Sequence, residues 1–260
     1  MSKGVVGERF FYVHLQKTAG TSLVMRLRHA FGENAVYPCD EIDGARDQRT
    51  IMVDHLIDRW HQRGDEIAVV AGHFPMATID LLDADFSTFT VLRDPVERTL
   101  SYLRYHRMFF PADAHLSLEE VYEDPFRFDG MIHNHMTKMF SLGVDEIQPA
   151  GMLTVMPIDR QRCETAKRQL ELVDVVGLQE EFGSFCDELS LRFDLDLGPE
   201  LIANATRQEA VDDSLRDRIA HDNAFDVELY QYAQDLVATR ADAKKLVSSS
   251  PISPVSPISP

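Results

Sequence analysis

Four apolar runs stand out along this chain, near residues 10–15, 67–71, 88–92 and 173–177. Each is short and ends in polar or turn-forming residues, which reads as a buried strand. Between the runs, apolar positions recur with helical period. After the first run they fall at Leu23, Leu27, Ala30 and Phe31. Strands that alternate with helices predict an α/β fold on one central, mostly parallel sheet flanked by helices. Ligands of such folds lie outside the carboxyl ends of the strands. The residues just after each run are therefore the candidates for chemistry. The pattern ends in a Ser/Pro repeat at 248–260. Proline removes donors and favours extended chain, so this stretch is expected to be a disordered tail and residues 1–247 one catalytic-sized domain.

The first run, Phe10-Phe11-Tyr12-Val13-His14-Leu15, leads into Gln16-Lys17-Thr18-Ala19-Gly20-Thr21-Ser22. That order reads as strand, small-residue loop, helix. The first amides of a helix lack internal partners and suit a phosphate-like oxyanion. Lys17 adds a positive charge, and Thr18, Thr21 and Ser22 add hydroxyl donors. An ordinary turn between a buried strand and a helix has the same composition. Charge separates the two readings. From Arg9 to Gly32 there are four Lys/Arg residues and no acid, in a chain of formal net charge −17. A bound anion is the simplest reason for a basic island in so acidic a protein.

Two further strand ends carry chemistry. Residues 88–92 are followed by Arg93-Asp94-Pro95-Val96-Glu97. Asp94 is a natural N-cap, Pro95 suits the first helical position, and Glu97 falls where a capping box places its acid. A well-capped helix needs nothing more; Arg93 and Ser101, in the second helical turn, go beyond it. Guanidinium makes paired, charge-assisted bonds to phosphate. The run at 67–71 ends in Gly72-His73. A histidine titrates near neutrality and suits a general base, although a structural histidine at a strand end is the commoner case. His14 is the rival base, read here as a packed histidine inside the first strand.

The loop Lys17 to Ser22 resembles the 5′-phosphosulfate loop of sulfotransferases that use 3′-phosphoadenosine 5′-phosphosulfate (PAPS). The likeness is nearest to the carbohydrate branch containing the heparan sulfate 2-O- and 6-O-sulfotransferases. That family usually has proline where this chain has Gln16. Arg93-Asp94-Pro95 with Ser101 resembles its 3′-phosphate motif, and Gly72-His73 the strand end that bears its proposed base. The resemblance implies a P-loop-like sulfotransferase fold, with Lys17, Thr18, Ala19, Gly20, Thr21 and Ser22 around the 5′ group. It implies Arg93 and Ser101 on the 3′-phosphate, with Lys17 and His73 catalytic. PAPS would be the donor substrate, no metal would take part, and an acceptor hydroxyl, on this likeness that of a carbohydrate, would take the sulfuryl group. Weaker likenesses at Asn134–Met139, Val176–Glu181 and Asp226–Ala233 extend it to about residue 240, and Asn204 to Arg207 would form a loop over the nucleotide.

The remaining composition narrows the classes. Hydrophobic content of 44% suffices for a large core. No long apolar span or leader is present, so a cytoplasmic protein without a membrane span is expected. Cys39, Cys163 and Cys186 are too few and too odd in number for a disulfide framework. His133 and His135 form a His-x-His pair, but no ligand cluster accompanies them, so no metal is expected. The acidic balance argues against nucleic acid as a partner. A P-loop kinase or NTPase is the alternative, though the lysine precedes the glycine, contrary to the Walker order. A non-catalytic nucleotide-binding module is another. Residues 108–130 and 141–151 are candidate acceptor loops. Their composition names no acceptor, and the oligomeric state is equally unspecified.

Overall fold

The computed structural model describes residues 7–147, 151–200 and 211–249, without the side chains of 46–48 and 246–249. The chain runs β1 (Phe10–Val13), α1 (Gly20–Phe31), β2 (Val36–Tyr37), α2 (Arg46–Ile51), α3 (Val53–Arg63), β3 (Val69–Val70), β4 (Ser87–Leu92) and α4 (Pro95–Phe109). It continues with α5 (Leu118–Tyr122), α6 (Pro125–Arg127), α7 (His135–Ser141), α8 (Val144–Ile147), α9 (Arg160–Leu172) and β5 (Val175–Leu178). The final helices are α10 (Phe182–Phe193), α11 (Asp213–Asp222) and α12 (Ala224–Ser249).

The strands form one five-stranded sheet in the order β2-β3-β1-β4-β5. All four pairings are parallel, with Val13 opposite Thr90 and Leu92 opposite Leu178. This is the α/β class expected from the alternating pattern. All four predicted runs became strands. The fifth strand, β2, escaped notice because two residues make no apolar run.

Alternation along β1 divides the core. Phe11 and Val13 face a cluster with Val70, Leu92 and Val176, covered by residues of α3, α7, α9 and α12. Phe10 and Tyr12 face the other way, onto Leu23 and Leu27 of α1 and Phe185 and Leu189 of α10. A parallel sheet buried on both faces needs strands that are apolar at every position, and β1 is so built. A smaller cluster joins Leu100 and Leu103 of α4 to α5 and α11.

No helix among the described residues is long and apolar enough to cross a membrane. Cys39, Cys163 and Cys186 are buried and unbridged. The described residues reach two positions into the Ser/Pro stretch, through Ser249 of α12. The rest of that tail, and the predicted loop at Asn204 to Arg207, lie outside the described residues.

Candidate active site

Strand order decides where a ligand can sit. From β1 the chain moves to one side of the sheet, to β2. From β3 it crosses β1 to β4 and then continues outward to β5. The connections therefore diverge between the carboxyl ends of β1 and β4, and such a switch point opens a crevice. Lys17 follows β1 and Arg93 follows β4, so the two basic candidates meet at this place. Arg93 Nη1 donates to the carbonyl oxygen of Lys17 at 3.1 Å.

The loop is built from left-handed backbone. Lys17 and Ala19 both have φ near 67°, a conformation that costs an L-residue about 1–2 kcal/mol. Ala19 is the N-cap of α1, makes no side-chain capping bond, and is followed by a first turn without acids. The helix thus presents a positive amide end that no side chain of the cap neutralises. Gly20 is obligatory here, because a Cβ would sit 1.7 Å from His14 Nε2.

Thr18 is fully buried, and its hydroxyl donates to Leu15 O at 2.8 Å. It closes the turn from within, which leaves its backbone amide as its contribution to the loop surface. Thr21 is exposed and Ser22 buried in the first turn of α1. Burial and the neighbouring Arg93 pull the Lys17 ammonium down to about 8. That ammonium lies 3.9 Å from the centroid of the Tyr105 ring. Among the described residues, no carboxylate pairs with it.

The basic island around this loop proves to be mostly structural. Arg9 packs on Trp60, 5.1 Å from the ring centroid, and faces Asp65. Arg26 donates to Leu197 O and Gly198 O, tying α1 to the segment after α10. Arg28 is paired with Glu33 at 3.2 Å and donates to Pro38 O. Lys17 alone of the four turns to the crevice. The other three members of the charge run serve packing.

His73 follows β3 as expected. Its Nδ1 donates to His14 O at 2.8 Å. A carbonyl only accepts, so Nδ1 carries a proton. His14 Nδ1 in turn donates to Ala71 O at 3.0 Å, and the two rings lie 4.1 Å apart. His14 therefore stands one residue past β1, packed against the loop, and not inside the strand as the sequence suggested. Burial, and His73 beside it, hold its pKa well below the ordinary imidazole value.

Asp94 caps α4, accepting from the Glu97 amide at 2.9 Å, and Pro95 occupies the first turn. The reciprocal half of the expected capping box is replaced, because the Glu97 carboxylate pairs with Arg216 of α11. Ser101 is buried in the second turn of α4.

Several residues near the site were not anticipated. Tyr105 is one, two turns beyond Arg98 on α4. Arg98 itself is fully buried and donates to Met131 O and Ile132 O. His135 is fully buried with neither ring nitrogen hydrogen-bonded. Burial, followed by Arg98, Lys138 and His73, keeps it neutral. Arg98 and Tyr105 stand at i and i+7 on α4, on the face that carries Ser101, a spacing that groups them without giving either a role. Nothing local marks His135, whose neighbours Arg98 and His73 come from α4 and from the segment after β3. His133 instead stacks on Phe128 at 5.3 Å, so the His-x-His pair does not converge.

Among the described residues, the one close grouping of metal-ligand types is Cys163, Glu164 and Glu228. Its carboxylates are already matched by Arg160 and Lys167. A surface depression lined by Gly7, Arg9, Asp83 and Phe86 lies at the amino ends of β1 and β4 and holds none of the predicted residues.

No protein-family model matches the sequence, and no curated protein matches it. Among solved structures, a sulfotransferase from Alicyclobacillus acidocaldarius is similar at 17% identity over 86% of this chain and 94% of that one, with a TM-score of 0.48. A likeness of that degree carries no weight for function.

Proposed function

We propose that this chain is a sulfotransferase that moves the sulfuryl group of PAPS to an acceptor hydroxyl. One observation carries the reading: Arg93 donates to the Lys17 carbonyl, joining two basic strand-end loops over the uncapped start of α1. PAPS has two separate anionic groups, and two cationic loops at one crevice suit it better than a single phosphate loop. The amides from Thr18 to Ser22 would hold the 5′ group, and Arg93 with Ser101 the 3′-phosphate.

The chemistry assigns the other roles. As the acceptor oxygen forms its bond to sulfur, the bridging S–O bond breaks and its oxygen takes up negative charge. Lys17 would stabilise that charge, as cations do in phosphoryl transfer. His73 would take the acceptor proton on Nε2, held in the required tautomer by the His14 carbonyl. The acceptor class implied by resemblance is carbohydrate.

The test is calorimetric titration with 3′-phosphoadenosine 5′-phosphate (PAP) and with AMP, on wild type and Arg93→Ala. Wild type should prefer PAP by roughly tenfold or more, the equivalent of about 1.4 kcal/mol for one charge-assisted contact pair. Arg93→Ala should erase the preference. Equal affinity of wild type for the two nucleotides would overturn the assignment of the 3′-phosphate.

A further inference from the structure

The end of α4 and the residue after it leave three consecutive large apolar side chains in solvent. Met108 is 58% exposed, Phe109 52% and Phe110 46%. Single exposed apolar residues are ordinary, but a contiguous patch marks a binding surface. This one is firmly based. Phe109 lies 4.6 Å from Tyr105. Phe110 stacks on His106 at 4.5 Å with 10° between the planes, and His106 packs on Tyr102 at 4.4 Å. Beneath them Arg127 donates twice to buried Asp113, at 2.9 and 2.8 Å, and His106 Nδ1 lies 3.5 Å from the same carboxylate. The inner end of the row is Tyr105, whose face carries the Lys17 ammonium at 3.9 Å. A row of aromatic faces thus runs from the reacting lysine out to solvent.

We propose that this shelf binds the acceptor, and that the acceptor is an uncharged alcohol or phenol with a planar, apolar carbon body. The proposal rests on the sulfotransferase reading and names its second substrate, in place of the carbohydrate that resemblance alone implies. Aromatic faces stack on flat rings and cover apolar carbon, while the hydroxyl reaches inward over Tyr105. Charge favours the same occupant. Away from the basic donor crevice, the chain's formal net charge of −17 disfavours a polyanionic glycan. Arg104 and Arg107, on the same stretch of α4, are already engaged within the protein.

The test uses the full chain, with 2-naphthol as the apolar probe and heparin as the polyanionic one. Phe109→Ala with Phe110→Ala removes the outer rings, and both are exposed enough for folding to survive. The double variant should bind 2-naphthol at least about tenfold more weakly by fluorescence titration and PAP within about twofold by calorimetry. With PAPS present, KM for 2-naphthol should rise while kcat is kept. Met108→Lys, at the solvent edge, should weaken 2-naphthol in the same direction and serves if the double variant unfolds. Equal 2-naphthol binding by wild type and variants would overturn the proposal. So would a wild type that binds heparin and not 2-naphthol, or a wild-type dimer that the variants dissociate, which would make the shelf an interface between copies. The 2-naphthol titration needs no donor. If wild type failed to bind PAP, the donor reading would fall while the shelf was still decided on its own.

Discussion

Lys17 is held where its charge is costly unless an anion is present. Its pKa in the protein, about 8, lies below the ordinary 10.5. PAP affinity should therefore fall as pH rises through about 8, because the binding ammonium is lost. Lys17→Met should remove that limb. Stability should move the other way. Between the folded and unfolded pKa values the unfolded chain holds more protons, so unfolding free energy rises with pH across that window. Lys17→Met should accordingly be more stable than wild type at pH 7, and the advantage should vanish between pH 8 and 10.5 in denaturant titrations. Turnover of Lys17→Ala should drop roughly 10²–10³-fold with a smaller loss of donor affinity. Tyr105 positions that ammonium through its ring face. Tyr105→Leu should lower kcat more than it weakens PAP, and Tyr105→Phe should restore kcat, since the face and not the hydroxyl makes the contact. A Tyr105→Phe as impaired as Tyr105→Leu would point to the hydroxyl instead. His73→Ala should cost roughly 10²–10⁴ in turnover while PAP still binds. Full activity across a pH series would move the base elsewhere. Lys17, Arg93 and His73 were legible as residues because each ends an apolar run. Tyr105 was not, because its role depends on a contact across 88 positions of chain.

At the scale of elements, the seam between α7 and α12 shows what local pattern leaves out. The start of α7 is capped from a distance. Asp226 accepts from the amides of Met136 at 3.0 Å and Thr137 at 2.7 Å. Asn134 Oδ1 accepts from the amides of Phe225 and Asp226 in return. Asp226 is fully buried, and burial raises its pKa although Arg98 opposes the shift. Removing it leaves two amides without their acceptor and the buried Arg98 guanidinium without the opposite charge near it. Asp226→Ala should therefore cost about 3 kcal/mol, read as a lower denaturant midpoint at unchanged slope. Asp242→Ala, which breaks an exposed pair with Lys245, should stay within about 0.5 kcal/mol. Comparable losses in the two variants would show that the seam contributes no more than a surface contact. Strand ends and the Asp94 cap were readable because each is set by a few neighbouring residues. The Asp226 cap was not, since donor and acceptor lie 90 positions apart. The destination of Glu97 likewise required knowing that α11 packs on α4.

The proposed ligand crevice lies between strands that are neighbours in space and far apart in sequence. PAP binding should then stabilise the fold as a unit. At 100 times Kd it should add about 2.7 kcal/mol to the unfolding free energy, and the same concentration of AMP should add less. A melting temperature that PAP leaves unmoved would mean that the crevice does not take the nucleotide. Rising salt should diminish the gain, because the contacts proposed are between charges. By itself, the sequence determined the α/β class, the strand–loop–helix units and the strand ends that bear Lys17, His73 and Arg93. It could do so because period and turn chemistry act over a few residues. Tertiary structure alone decided the strand order, and with it that the ends of β1 and β4 adjoin. It gave Arg9, Arg26 and Arg28 of the basic island packing partners, set His14 against Gly20, and laid Tyr105 over Lys17. Each of these is a through-space contact between segments whose own patterns are silent about one another. Only the shared core, which forces both faces of the sheet to be covered, brings them together.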